Sequence, residues 1–320
     1  MDVAEVVAEY LASISVQKNS KAVYRQRLLV FADWCKANNI GFEDLGSKRS
    51  GAIANDFIAY LESDHHASKQ TSAGKPRAIS SHTVQGYMVV IKMMLNWAVE
   101  DEEMAVYIHP IALKRMHIPK ADHSIVEIFS GADIDAMMVA CRQEYNDHLR
   151  LRNGAIVSLL SHTGIRAAEL CTLSVGHVVN LTLLDMTTET SYIKVMGKGH
   201  KEREIDIDNS CRKLLAHYKR SFRKGAPPDA PFFVDRTLRK PLSVSGVEQI
   251  IEKLGQIAGI TDVRCSPHTF RHTFATHFIR DGGDILHLSR ILGHEHLSIT
   301  EDYIETLSSR DLRGGLRRVK

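Results

Sequence analysis

The chain has 320 residues, a hydrophobic fraction of 44%, a charged fraction of 25% and a formal net charge of +3. The length suffices for two domains of ordinary size, and the composition is that of a globular protein whose bulk charge does not by itself indicate a nucleic-acid partner. No apolar run is long enough to cross a membrane, no signal peptide precedes the first helix, and the five scattered cysteines argue for a reducing compartment, so we predict a cytoplasmic protein.

The first hundred residues are predicted to be helical. Apolar residues recur at helical spacing in four segments: residues 3–14, 20–37, 51–63 and, after a cap at Ser80 or Ser81, up to about residue 100. The polar stretch 64–79 is predicted to be a loop. We therefore predict a helical bundle over residues 1–117, followed by a linker over residues 118–127 that contains Pro119.

The remaining residues, 128–320, show a mixed pattern. A helix is predicted to begin near Gly131, and Gly197 and Gly199 lie between two β-prone runs that predict a hairpin over residues 191–207. The other helices are predicted at residues 151–160, 165–173, 210–222, 244–258, 268–281, 284–292 and 298–307. The fold class that follows is mainly α with a small β-sheet: a helical N-terminal domain and a mixed α/β domain that ends in a basic tail, residues 308–320.

Two arginines, two histidines and a late tyrosine stand out in the second domain. A phosphodiester accumulates negative charge on its non-bridging oxygens during cleavage, and the planar forks of Arg166 and Arg271 are suited to bind them. His268 lies three residues before Arg271, hence on the same helical face, and His294 follows a glycine at a helix end. Tyr303, the only tyrosine after Tyr218, is the candidate nucleophile.

A lysine completes the chemistry. Lys198 lies at the tip of the predicted hairpin, where its ammonium group is a suitable acid for the leaving 5′ oxygen. Lys194 and Lys201 are neighbours that could take the same role. Glu169, one helical turn after Arg166, is predicted to hold the Arg166 guanidinium in place, and His272 is predicted to support the site from the next turn after His268.

These residues resemble the motifs of the tyrosine recombinase (phage integrase) family. The pattern Thr-Gly-x-Arg-x-x-Glu-Leu is matched by residues 163–170, Gly-Lys-Gly-x-Lys-x-Arg by residues 197–203, and Pro-His-x-x-Arg-His by residues 267–272. The pattern Leu-Gly-His, followed nine residues later by tyrosine, is matched by residues 292–303. Each motif alone is weak, but together and in this order they are specific, and the layout is similar to that of Xer-like two-domain recombinases.

The resemblance implies a core-binding domain and a catalytic domain that grip double-stranded DNA with inverted-repeat half-sites. Arg166, Arg271 and His294 would hold the phosphate, His268 would assist proton transfer, Lys198 would be the acid and Tyr303 would form a 3′-phosphotyrosyl link. No metal or other cofactor would be required. Four copies of the chain, or this chain paired with a related recombinase, would exchange strands through a Holliday junction on DNA in the nucleoid.

Alternatives remain at this point. A type IB topoisomerase would use a similar residue set, and a DNA-binding relative could keep the fold without the chemistry. His268 and His272 have the spacing of metal ligands, and residues 284–306 have the look of a helix-turn-helix. Further DNA contacts are expected from Lys92, Lys201, Arg203, Arg239 and Lys240, for each of which an ordinary surface position is the alternative.

Overall fold

The computed structural model describes residues 1–63, 66–67, 77–109, 111–120, 127–181, 190–197 and 202–293. The chain forms two compact units, Met1–His123 and Ser124–Lys320. The division falls within the stretch 118–127 for which a linker is predicted.

The first unit is a helical bundle. Its helices are α1 (Val3–Ser13), α2 (Lys18–Ala37), α3 (Phe42–Leu45), α4 (Ser50–Ser63), α5 (Ser81–Glu100) and α6 (Ala112–Arg115). The Ser80 side chain caps α5 by accepting a hydrogen bond from the Thr83 N–H, as predicted from the sequence. The N-cap of α1 is Asp2, whose carboxylate accepts from the Ala4 N–H.

The core of the first unit lies between α1, α2, α4 and α5. Phe31 and Phe57 meet edge to face with ring centroids 4.8 Å apart, a favourable aromatic geometry. Leu28, Phe57 and Ile91 are completely buried. The helical spacing of these apolar residues places them on one face of each helix, and this is why the sequence pattern identifies the helices correctly.

The second unit is mixed. Its helices are α7 (Gly131–Arg142), α8 (Asp147–Thr163), α9 (Ala167–Thr172), α10 (Asn209–Phe222), α11 (Val244–Ile257), α12 (Pro267–Arg280) and α13 (Ile285–Leu292). Helix α8 is central, since it packs against α7, α10 and α12. It is buried over most of its length, including Ile156, Leu159 and Leu160, which are fully inaccessible.

Two small sheets are present in the described parts of the chain. Strands β1 (His66–Ala67) and β2 (Arg77–Ala78) form a two-residue antiparallel ladder in the first unit. In the second unit, β3 (Val178–Val179), β4 (Tyr192–Met196) and β5 (Glu202–Asp206) form an antiparallel sheet in the order β3-β4-β5. The predicted hairpin is therefore present as β4 and β5, and Met196 lies opposite Glu202 at its described end.

The structure corrects several details of the sequence prediction. The stretch 64–79 is not all loop, because β1 and β2 lie within it; two residues are too few for an alternating pattern to appear. Helix α8 begins at Asp147 and continues through Thr163, so the break between the two predicted helices falls at Gly164, and α9 covers Ala167–Thr172. Strand β3 was not predicted. The predicted helix at 298–307 lies outside the described residues.

Among the described residues, none of the helices combines the length and the apolar character that a membrane-spanning segment requires.

Candidate active site

Arg166 is placed by a sharp reversal between α8 and α9. Gly164 ends α8 in the left-handed conformation, with φ of +59°. A Cβ atom at this position would lie 2.7 Å from Phe274 Cδ1 and 3.1 Å from Leu292 Cδ2, so a side chain would clash with α12 and α13. Glycine is thus required both by the backbone and by the close packing. Arg166 follows as the N-cap residue of α9, and its side chain is 40% exposed.

Glu169 holds Arg166 in two ways. Its Oε2 accepts a hydrogen bond of 2.9 Å from the Arg166 backbone N–H, and its Oε1 accepts one of 3.1 Å from Arg166 Nη1. The supporting role predicted for Glu169 therefore has a geometric basis. The carboxylate side chain is only 7% exposed.

Arg271 lies one turn into α12, the helix that Ser266 caps and Pro267 begins. It is 2% exposed. Its Nη1 donates a hydrogen bond of 3.0 Å to the Gly164 carbonyl, and its Nη2 donates one of 2.9 Å to the Leu292 carbonyl. A buried arginine is stable only when its donors are satisfied, and these two carbonyls fix the group in one orientation.

The two candidate arginines meet at the end of α13. Arg166 Nη1 donates 3.4 Å to the Leu292 carbonyl, the same oxygen that accepts from Arg271. This carbonyl belongs to the last residue of α13 and therefore accepts no hydrogen bond within the helix. The two guanidinium groups donate to it instead. Residues from three motifs that are distant in sequence, Gly164 and Arg166, Arg271, and Leu292, are thereby brought to one point.

The histidines of α12 lie beside this point. The rings of His268 and His272 are edge to face with centroids 5.7 Å apart. Partial loss of hydration, together with the charges of Arg271, Arg166 and Arg264, lowers the pKa of His268. Because the His268 side chain is exposed, we attribute the lowering of its pKa mainly to the three positively charged guanidinium groups. A neutral imidazole at neutral pH can accept a proton, as the proposed proton-transfer role requires.

His272 gives a testable pH dependence. Burial, His268 and Arg271 lower its pKa from 6.5 to about 4. The unfolded chain therefore binds more protons than the folded chain between these pH values, and stability is present above pH 6.5 and is lost as the pH falls towards 4. As the pH falls from 7.5 to 4.5, we expect the free energy of unfolding to decrease less in His272→Gln than in the wild type. The difference should be up to about 3 kcal/mol.

The measurement is urea unfolding followed by circular dichroism at pH 4.5 and pH 7.5. His82→Gln, a change at an exposed histidine on α5, is the control and should behave as the wild type does. An equal decrease in the free energy of unfolding of His272→Gln and the wild type would contradict the lowered pKa of His272.

Arg203 points into the protein, not toward solvent as a DNA contact would. Expected as a DNA contact, it is instead 13% exposed and donates from Nη1 and Nη2 to Glu169, at 3.0 and 2.9 Å. A signal for this exists in the sequence: strand alternation places residue 203 on the same face as Ile205, which is buried, while Glu202 and Glu204 on the opposite face are exposed.

The other predicted DNA contacts are less informative. Lys92 is half-buried on α5 and donates 3.3 Å to the Met116 carbonyl, within the first unit. Arg239 and Lys240 are exposed on a turn whose backbone N–H groups donate to Asp235. Lys194, the neighbour considered for the acid role, lies on β4 at 3.4 Å from Glu202 and 3.6 Å from Glu204. Lys198, Lys201, His294, Tyr303 and the tail 308–320 lie outside the described residues.

Comparison with known proteins places this arrangement in a family. Residues 127–310 match the model of the phage integrase family. The tyrosine recombinase XerC of Staphylococcus carnosus TM300 is 31% identical over 218 residues, 68% of each chain. The tyrosine recombinase XerD of Pseudomonas putida KT2440 is 26% identical over 313 residues, 95% of this chain and 94% of that one.

Solved structures share the fold. The XerH site-specific recombinase in its post-cleavage complex with a palindromic difH substrate matches with a TM-score of 0.71 at 16% identity, covering 93% of this chain and 79% of that chain. The Tn1549 transposon integrase in complex with a circular intermediate DNA matches with a TM-score of 0.71 at 16% identity over 100% of both chains.

The fold and the family match define a protein of the tyrosine recombinase class. The chain belongs to the phage integrase family. It is a DNA-binding tyrosine recombinase, and its activity is site-specific recombination.

Proposed function

We propose that this recombinase cleaves DNA by attack of the Tyr303 hydroxyl on a phosphodiester, forming a 3′-phosphotyrosyl link and releasing a 5′ hydroxyl. The bond between the tyrosine oxygen and phosphorus forms as the bond to the 5′ oxygen breaks. The energy of the broken bond is kept in the new ester, so rejoining by the 5′ hydroxyl of another strand needs neither a metal nor ATP. Two rounds of exchange between paired sites pass through a Holliday junction.

The convergence of Arg166 and Arg271 on the Leu292 carbonyl is the observation that carries this proposal. Two guanidinium groups fixed at one place form a strongly positive site for a phosphate, and a preorganised site of this kind stabilises the charge that develops in the transition state. Arg271 is rigid because it is buried, whereas Arg166 is partly exposed and can reach a ligand.

Proton transfer is assigned to His268 and Lys198. His268 lies beside the arginines on α12, and the neutral form favoured by its lowered pKa can accept the tyrosine proton. Lys198 follows Gly197, the residue after β4, and would deliver a proton to the leaving 5′ oxygen. His294, directly after Gly293 at the end of α13, would donate to a non-bridging oxygen.

The partner that fits this chemistry is double-stranded DNA with inverted half-sites. The XerH match is a complex with a palindromic substrate, and a further structural match, at a TM-score of 0.65 and 15% identity, is a lambda integrase dimer bound to a core site. By analogy, we place one copy of this chain on each half-site and four copies, or two with a related recombinase, on two paired sites. Its place of action would be cellular DNA.

The test uses a duplex selected for binding from a random library and nicked beside the crossover point, so that cleavage cannot be reversed. Wild type, Tyr303→Phe and Tyr145→Phe are incubated with it in EDTA, Tyr145 being a fully exposed tyrosine that serves as the matched control. A denaturation-resistant protein–DNA adduct with the wild type and Tyr145→Phe, but not with Tyr303→Phe, is expected.

Other outcomes separate the alternatives. An adduct with Tyr303→Phe would mean a different nucleophile, and loss of the adduct in EDTA would mean that a metal is needed. Relaxation of any supercoiled DNA by a monomer would indicate a topoisomerase. Specific binding without any adduct would indicate a DNA-binding relative that lacks the chemistry.

A further inference from the structure

We propose that Arg203 is a positioning residue for cleavage: it fixes the Glu169 carboxylate, through it the Arg166 guanidinium, and it joins the β4–β5 hairpin to the end of α13. This inference rests on the phosphate-binding role proposed above for Arg166. It replaces the expectation that Arg203 contacts DNA.

The hydrogen bonds of Arg203 point inward. Nη1 and Nη2 donate to Glu169 in a bidentate pair of 3.0 and 2.9 Å, and Nε donates 2.7 Å to the Ile291 carbonyl. All three nitrogens of the guanidinium group are thus engaged within the protein, and the side chain is 13% exposed. A planar fork is needed for this pattern, so lysine cannot reproduce it.

Glu169 is shared equally between the two arginines. Its Oε1 accepts from Arg166 Nη1 and Arg203 Nη1, and its Oε2 accepts from the Arg166 backbone N–H and Arg203 Nη2. Burial alone would raise the pKa of Glu169, but the hydrogen bonds from Arg203 and Arg166 bring it below its ordinary value. With Arg203 present, the carboxylate has one orientation; without it, only the Arg166 contacts remain to hold it.

Gly293 shows how closely the chain after α13 passes the Arg203 guanidinium. This residue has φ of +65°, and a Cβ atom there would lie 2.9 Å from Arg203 Nη1 and 3.0 Å from Cζ. Arg203 therefore occupies the space that a side chain at position 293 would need. The close approach explains in physical terms why a glycine precedes His294.

The register of the hairpin extends the role of Arg203. It lies opposite Val195, three residues before Lys198, so its bonds to Glu169 and Ile291 attach the base of the hairpin to α9 and α13. Lys198 itself lies outside the described residues, and under the proposed function Arg203 would anchor the strand that precedes it in the sequence.

The experiment compares the single-turnover cleavage rate at saturating DNA with the Kd for the same nicked duplex. The variants are Arg203→Met, Arg203→Lys, Glu169→Gln and the double variant with Arg203→Met and Glu169→Gln. Arg203→Met is expected to lower the cleavage rate about a hundredfold through displacement of Arg166, with Kd changed less than about twofold. Arg203→Lys should recover only part of this loss.

The double variant tests the route through Glu169. If Arg203 acts through this carboxylate, the double variant is no slower than the slower single variant, because the same arrangement has already been lost. Independent, multiplying effects would overturn the proposal. So would a weaker Kd with a reduced salt dependence and an unchanged cleavage rate, which is the result expected of a DNA contact.

A second pair of variants covers the case in which Arg203→Met fails to fold. Gly293→Ala displaces the guanidinium group, while Gly259→Ala imposes a similar backbone strain, at φ of +71°, with no atom near its Cβ. Slower cleavage in Gly293→Ala alone is expected, and equal rates in the two variants would overturn the proposal. Absence of an adduct with the wild type would instead reject the proposed function.

Discussion

Arg271→Met is expected to abolish cleavage almost completely and to destabilise the second unit. Its guanidinium group satisfies two carbonyls, those of Gly164 and Leu292, in a position that is 2% exposed. Removal leaves both carbonyls without these donors and removes a preorganised charge from the phosphate site. We expect the cleavage rate to fall about a thousandfold and the free energy of unfolding to fall by about 3 kcal/mol.

Single-turnover cleavage and urea unfolding measure the two effects separately. Arg142→Met, at an exposed arginine in the last turn of α7 in the same unit, is the control and should change the free energy of unfolding by less than about 0.5 kcal/mol. A stable Arg271→Met variant that cleaves at the wild-type rate would show that Arg271 is needed neither for cleavage nor for stability. A destabilised variant with unchanged cleavage would make it a structural residue only.

Arg166→Met is expected to lose cleavage to a similar degree without a comparable loss of stability. The Arg166 side chain is 40% exposed, and its ion pair with Glu169 is partly in contact with solvent. We expect a cleavage rate about a thousandfold lower and a free energy of unfolding lower by no more than about 1 kcal/mol. The different burial of two arginines that share one acceptor is the reason for the contrast.

Arg166→Lys distinguishes charge from geometry. Lysine keeps the positive charge but cannot contact two phosphate oxygens with a planar fork, so we expect only partial recovery of cleavage. Full recovery would show that the charge alone is sufficient, and an unfolded Arg166→Met variant would show that the guanidinium group is structural.

The sequence predicts the fold correctly where apolar residues recur at helical spacing. Helices α1, α2, α4 and α5 follow from apolar residues at helical spacing. Ser80 or Ser81 was predicted as the cap of α5, and the structure shows that it is Ser80, which accepts from the Thr83 N–H. The two-residue strands β1 and β3 could not be predicted in this way. Backbone pairing over two residues leaves no alternation of side chains to detect.

The candidate site was predictable as a set of residues but not as a geometry. Motif spacing selects Arg166 and Arg271, whereas the shared Leu292 carbonyl depends on how α9, α12 and α13 pack, which no local pattern contains. Arg203 shows the opposite case. Its alternation with Ile205 indicates an inward-facing position, whereas its positive charge on a hairpin favours a DNA contact, and the structure follows the alternation.

The most direct test of the central claim is to identify the residue that carries the DNA after cleavage. The adduct formed in EDTA is digested with nuclease and trypsin and analysed by mass spectrometry. Trypsin cuts the chain after Arg290 and Arg310 and releases residues 291–310, a peptide with a single tyrosine, Tyr303. A nucleotide phosphate on Tyr303 is expected, and a nucleotide on any other residue would contradict Tyr303 as the nucleophile.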